Sequence, residues 1–271
     1  MPAQTQQAKI NGLNITYAVS GAAKAPPVLL HHPLATDLTI WDELTAALEP
    51  AYRVIRFDAR GHGKTDAPAG AYDFKTLAAD TIGELDHLGI EKTRYLGLSM
   101  GGFVGQVLGV QHADRFHSLV LVSTSSDMTG AREIWDQRIA TVTKDGITQA
   151  IVDGGVARWV APEALKSKPQ VVARLRHMIE ATPANGYVGW CHAIRDFNVT
   201  STLKAIKLPV KVIVGALDPA TPPAAARVIH REIAGSEFAE VAGTSHMLQV
   251  EEPARFAAEV LPFFAKHGPK T

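Results

Sequence analysis

The sequence predicts an α/β fold: a mostly parallel sheet of eight strands with helices on both faces, interrupted by an all-helical segment. Three observations predict it. Short apolar runs alternate with longer amphipathic stretches, as parallel strands joined by crossover helices do. After the sixth run the alternation stops, and from about Met128 to Lys204 only helical periodicity is present. Finally, the run Thr93-Arg94-Tyr95-Leu96 leads into Gly97-Leu98-Ser99-Met100-Gly101-Gly102 and then into a small-residue helix from Phe103 to Gln111.

Taken in order, Lys9 to Tyr17 reads as a hairpin turning at Asn11-Gly12, a pair suited to a turn with positive φ. Pro27–Leu30 is a strand, Leu38–Leu48 a helix with Ile40, Leu44 and Leu48 on one face, Tyr52–Phe57 a strand and Phe74–Leu88 a helix. Thr93–Leu98 and Leu119–Ser123 are strands on either side of the small-residue helix, in which Gly101, Gly105 and Gly109 cut one face small for close packing. The helical segment contains Ala131–Thr143, Ile147–Trp159, Val171–Ala181 and Tyr187–Phe197. Strands Val210–Gly215 and Phe238–Val241, with helices Pro223–Ile233 and Ala254–Phe264, complete the sheet. The expected organisation is a core of 1–127 and 206–271 with a helical lid, 128–205, inserted after strand 6.

With 271 residues the chain can bury a substantial core in one enlarged domain. Lys+Arg and Asp+Glu both number 27, so net charge offers no electrostatic reason to expect nucleic acid or an anionic membrane as partner. The lone cysteine, Cys191, excludes an intrachain disulfide and fits a reducing compartment. Met1 to Ala8 is polar, without the apolar run of a signal peptide, and no segment has the length of a membrane-spanning helix. The expected setting is cytoplasmic, and the expected partner a small molecule. A homo-oligomer is compatible with all of this.

Between a strand and a helix, Gly-x-Ser-x-Gly is a nucleophile elbow. The turn is so sharp that only small flanking residues allow it, and it lifts the Ser99 hydroxyl above the sheet at a helix N-terminus. A serine hydroxyl needs a general base, and the base needs an orienting carboxylate. With an elbow of this kind the chain order is Ser, acid, His. Asp218 follows the strand Val210–Gly215 and His246 follows Phe238–Val241, so all three lie past strand C-termini, where ligands gather in open parallel sheets. Asp127, after Leu119–Val122, is the alternative acid. The developing oxyanion calls for the backbone N–H of Met100 and a second from the turn after Pro27–Leu30. Pro33 has no N–H, which leaves Leu34. His31 and His32 do not make a metal site: neighbours in an extended segment point apart, and no matching ligand cluster follows. No metal or cofactor is expected. One of the two histidines, His32, is a candidate to face the site and touch substrate.

These residues resemble those of the α/β-hydrolase superfamily over the whole chain. Within it, they resemble the 3-oxoadipate enol-lactonases of aromatic-compound degradation. The similar motifs are Thr36-Asp37-Leu38 with Trp41-Asp42, Arg56-Phe57-Asp58-Ala59-Arg60-Gly61-His62-Gly63, the elbow itself, and Asp218-Pro219-Ala220-Thr221-Pro222-Pro223. In the lid they are Ile134-Trp135-Asp136-Gln137-Arg138, Ala157-Arg158-Trp159 and Gly186-Tyr187 through Cys191-His192-Ala193-Ile194. The chain departs from that group at His31-His32-Pro33, where a Ser/Asn-containing turn is usual. The resemblance implies a serine hydrolase opening a small enol-lactone that bears a carboxylate. Trp135 and Arg138, three apart on a helix, would form an apolar wall and a carboxylate clamp. Arg158 is a second clamp candidate, and Trp190 and His192 are further pocket candidates. A carboxylesterase, or a cofactor-free perhydrolase or haloperoxidase, would use the same triad without the lid arginine. A carbon–carbon bond hydrolase is disfavoured by the oxyanion turn, and a dehalogenase by Ser99 standing where it would need Asp. A hydrolase-like ligand receptor is the non-enzymatic alternative.

Overall fold

The computed structural model describes residues 4–268; the expected core segments extend past it at 1–3 and 269–271. Eight strands form one sheet in the order β1-β2-β4-β3-β5-β6-β7-β8. They are β1 Thr5–Ile10, β2 Leu13–Ser20, β3 Pro27–His31, β4 Arg53–Phe57, β5 Thr93–Leu98, β6 Phe116–Val122, β7 Val210–Gly215 and β8 Glu237–Val241. β1 pairs antiparallel with β2, and β2 antiparallel with β4; every other pairing is parallel. The first hairpin turns at Asn11 and Gly12, both in the left-handed region with φ of 48° and 82°, as a two-residue turn matched to strand twist requires.

The strands β5 and β7 are buried at every position, and they read as near-continuous apolar runs because helices cover both faces. Those helices are α1 Asp42–Leu48, α2 Phe74–His87, α3 Met100–Gln111, α9 Pro223–Glu232 and α11 Pro253–Lys266. The Asp73 carboxylate accepts from Thr76 N at 2.9 Å and starts α2, a cap worth about 1 kcal/mol. Prolines stand in the first turn of α9 and α11, where no intrahelical donor is lost.

Two expectations change. The stretch Leu38–Leu48 is not one helix. Asp37 accepts from Thr39 N at 2.8 Å and winds Leu38–Trp41 as a 3-10 turn, and α1 begins only at Asp42. The segment between β6 and β7 holds five helices rather than four: α4 Arg132–Asp145, α5 Gln149–Trp159, α6 Pro162–Ser167, α7 Pro169–Ala181 and α8 Ala184–Arg195. The extra one, α6, spans 6 residues, too few for a helical period to show. Short 3-10 turns at Thr129–Ala131 and Thr200–Ala205 bracket the insertion. It is tied back to the core by Arg174 on α7, whose guanidinium reaches Glu43 Oε1 at 2.6 Å on α1.

The sheet order sets the position of the site. From β3 the chain moves outward to β4, then crosses back over β3 to β5 and continues to β6, β7 and β8. The strand order therefore reverses between β3 and β5, which opens a crevice at their C-terminal ends.

Candidate active site

Ser99 follows β5 at that crevice, in a backbone conformation (φ 52°, ψ −106°) that non-glycine residues rarely adopt and that costs about 1–3 kcal/mol. Neighbouring groups hold it there. Ser99 N donates to Val122 O at 2.8 Å, and Thr124 Oγ1 donates to Ser99 O at 3.1 Å. The flanking glycines are required by contact: a Cβ on Gly97 would lie 2.2 Å from Gly101 O, and one on Gly101 would lie 2.3 Å from His31 O. The elbow thus presses directly on the end of β3. The first amides of α3, Met100 leading, have no intrahelical acceptor and point to the crevice end of the helix.

Asp218, just past β7, and His246, past β8, meet with His246 Nδ1 at 2.8 Å from Asp218 Oδ2. Both are buried. Asp218 also accepts from Ala220 N at 2.8 Å, Thr221 N at 3.0 Å and Thr221 Oγ1 at 2.9 Å. Burial pushes its carboxyl upward, but the His246 charge and hydrogen bond, with the Thr221 bonds, outweigh this and leave it below the usual aspartate value. The alternative acid, Asp127, is exposed. Its oxygens are taken by Thr129 N at 2.8 Å and Asn198 Nδ2 at 3.0 Å, so the imidazole has Asp218 as its partner.

Ser99 and His246 line one cavity of about 200 Å³, together with Leu34, Trp135, Arg138, Arg158, Trp159 and Thr221 among others. That volume is below the ~300–1,000 Å³ of drug-sized ligand sites and suits a small substrate. Helix α4 presents Trp135 and Arg138 on one face, the guanidinium 5.0 Å from the indole centroid. Among the described residues no carboxylate lies in ion-pair range of Arg138 or Arg158, although most other arginines are paired. The Leu34 N–H likewise donates to no described residue.

His32 is a correction. It does not line the cavity; it is fully buried, with both ring nitrogens engaged. Its Nδ1–H donates to Pro33 O at 2.8 Å and its Nε2 accepts from Ala59 N at 2.9 Å. His31 is buried too, donating from Nδ1 to the Tyr95 hydroxyl at 3.0 Å, since that hydroxyl gives its own proton to Gly101 O at 2.7 Å. Trp190 is also outside the cavity, its indole N–H on Arg60 O at 2.7 Å. His192 faces a separate surface groove.

The buried histidines have a role that the sequence did not reveal. His62 Nε2 accepts from Ala35 N at 2.9 Å, the mirror of the His32–Ala59 bond. Asp58 adds to this by accepting from Leu38 N at 2.8 Å and Lys64 N at 2.9 Å. The segment after β3 and the segment after β4 are thus latched side chain to backbone in both directions. Ala35, inside the latch, sits at φ 57°. Burial lowers the pKa of all three histidines, that of His32 to about 4, so they stay neutral and their Nε2 lone pairs stay available.

Glu251 is the second group that the sequence did not reveal. Buried below His246, it accepts from Ser245 N at 3.2 Å and from Ala161 N at 3.3 Å, just beyond α5. Met247 N donates to Trp159 O at 3.0 Å, and the Trp159 ring stacks on His246 with centroids 6.2 Å apart. The histidine loop and the C-terminal end of α5 therefore form one unit. Desolvation raises the Glu251 carboxyl to about 7.

Among the described residues no cluster of three or more His, Cys, Asp or Glu is placed to hold a metal, and no helix is long and apolar enough to cross a membrane. A family model described as the alpha/beta hydrolase fold matches residues 26–253. The chain belongs to the α/β-hydrolase family. It is 34% identical to 3-oxoadipate enol-lactonase 2 of Acinetobacter baylyi over 89% of this chain and 90% of that one. Against 3-oxoadipate enol-lactonase 1 of the same organism it is 30% identical over 90% and 91%. The crystal structure of the enol-lactonase from Burkholderia xenovorans LB400 superposes with a TM-score of 0.92 at 34% identity, covering 95% of this chain and 99% of that one. Among α/β-hydrolases the chain is one that acts on ester bonds of small molecules.

Proposed function

We propose that this hydrolase opens a small enol-lactone carrying a free carboxylate, with 3-oxoadipate enol-lactone as the reference substrate. The observation that carries the reading is the pair Arg138 and Arg158, without acidic partners, in the same cavity as Ser99 and His246. Two half-buried guanidinium groups in an otherwise largely apolar cavity call for an anion. The names of the relatives point the same way.

In this reading Ser99 Oγ attacks the lactone carbonyl while His246 Nε2 takes its proton. Asp218 stabilises the imidazolium through Nδ1. The Met100 and Leu34 amides receive the oxyanion. Collapse of the tetrahedral intermediate breaks the ring C–O bond. The enol oxygen takes the proton from His246 and the enol tautomerises to the ketone. Water, deprotonated by the same imidazole, then cleaves the acyl-Ser99 ester to give the open dicarboxylate. The lid, 128–205, supplies the clamp from Arg138, with Trp135 as its wall. The single buried cysteine suits a cytoplasmic setting.

The test is kcat/KM on the enol-lactone beside its methyl ester, for the parent and Arg138→Ala. Truncating one partner of a desolvated charge pair costs about 2–5 kcal/mol, and sharing with Arg158 puts the loss near the lower end, about 10- to 100-fold on the acid. Little change is expected on the neutral ester. Equal turnover of both by the parent, indifferent to Arg138, would leave a general carboxylesterase.

A further inference from the structure

Behind the reaction cavity lies a second chamber of about 150 Å³ inside the helical insertion. The two volumes share a wall of Arg138, Arg158 and Trp159. Both arginines therefore have one side on the reaction cavity and the other on the chamber. The remaining walls are apolar or small: Ala150, Ile151, Gly154 and Gly155 from α5, with Ile179 of α7 and the Tyr187 phenol of α8. Ala150 and Gly154 are exposed, and a Cβ built on Gly154 meets no atom within 4 Å, so the chamber opens to solvent along this edge of α5. At about 30 Å³ per water-sized group the chamber holds about five such groups.

We infer that this chamber, reached from the reaction cavity between the two arginines, is a second subsite for the acid arm of the substrate. The enzyme then takes carboxylate-bearing esters and lactones of more than one arm length. A short arm places its carboxylate on the reaction-cavity side of the arginine pair. A longer arm passes between the two guanidinium groups, packs its methylenes on Ile151 and Ile179, and pairs its carboxylate from the chamber side, within reach of the Tyr187 hydroxyl. Neither arginine is held by a described carboxylate; Arg138 rests on the Trp135 ring and against the Tyr187 hydroxyl, contacts that cost less to shift than an ion pair. A single clamp in a closed pocket would reject the longer acid; a two-sided junction accepts both. This inference rests on the carboxylate clamp proposed above and extends it.

The test uses phenyl hydrogen glutarate and phenyl hydrogen suberate, each beside its methyl-capped neutral counterpart, on the parent, Gly154→Leu and Ala150→Leu. Residues 150 and 154 lie one turn apart on the exposed side of α5; Gly154→Leu raises helix propensity and Ala150→Leu lowers it only slightly, so both variants are expected to fold, which a melting curve of each checks. The parent is expected to prefer each acid to its neutral counterpart at least tenfold in kcat/KM. Both variants are expected to lower the suberate-to-glutarate ratio at least tenfold by filling the chamber. A ratio within twofold of the parent's in both variants would overturn the subsite. So would a parent that prefers the acid only for glutarate, a result that leaves the clamp intact. No acid preference for either ester would overturn the clamp together with the subsite.

Discussion

Replacing His62 by Leu removes the acceptor of the Ala35 N–H while keeping the site filled. That amide is buried, and a buried donor left unpaired costs about 1–3 kcal/mol. Ala35 also sits at φ 57°, which costs a non-glycine residue about 1–2 kcal/mol, and the His62 bond is what holds it there. The unpaired amide sets the cost at about 1–3 kcal/mol. The parent already carries the Ala35 strain, so the variant can offset part of that cost by relaxing this φ, which moves the turn that carries the Leu34 amide. For a chain of this size 1 kcal/mol corresponds to about 2–4 °C, so a melting point lower by about 2–12 °C is expected. Losing one oxyanion donor outright costs about 10²–10³ in rate, which is the ceiling; a displaced donor should lower kcat about 10- to 100-fold with little change in KM. His62→Gln, whose side-chain oxygen can accept the same N–H, should recover most of kcat. Steady-state kinetics with thermal melts of the three proteins decides it. If His62→Leu melts lower yet keeps kcat within twofold of the parent, then the latch stabilises the fold without positioning the oxyanion turn, and the reasoning is refuted.

Other substitutions probe the remaining geometry. Asp218→Asn keeps the shape but removes the carboxylate that receives the His246 Nδ1–H, and should lower kcat by about 10⁴ while leaving the melting point within a few degrees. Glu251→Gln should change how stability depends on pH. Because the Glu251 carboxyl is raised to about 7 from an ordinary 4.5, the native state holds more protons than the unfolded chain between those values. Stability from this group therefore falls as pH rises through that window, and the Gln variant should show a flatter melting profile there. An identical pH slope in both proteins would mean that Glu251 titrates normally.

Much of the fold was legible because its signals are local. Asn11-Gly12 specifies its hairpin alone, and the glycines around Ser99 are required by atoms within the elbow and the end of β3. The order of Ser99, Asp218 and His246 was readable because each follows a strand. The short helices α6 and α10 Leu248–Glu251 were not, since neither spans two turns. His32 misled because an imidazole beside a site residue looks the same in sequence whether its nitrogens meet substrate or backbone; only the latch to Ala59, 27 residues away, separates the two. His62, in a Gly-His-Gly that reads as a loop former, is its counterpart for the same reason. Glu251 was invisible because its partner at Ala161 lies 90 residues distant. Thr221 is half legible: Asp-Pro-Ala-Thr announces a turn, but not that the threonine hydroxyl lands on the carboxylate that orients His246.

The central claim is that Ser99 opens a carboxylate-bearing enol-lactone. The most direct measurement is kcat/KM of the purified protein and of Ser99→Ala on 3-oxoadipate enol-lactone, with a melting curve of each. The account predicts a parent value in the ~10⁴–10⁸ M⁻¹ s⁻¹ range of ordinary enzymes and a loss of at least about 10³ in a variant that folds normally. A parent that leaves the lactone untouched, or a folded Ser99→Ala that turns it over at the parent's rate, would contradict it.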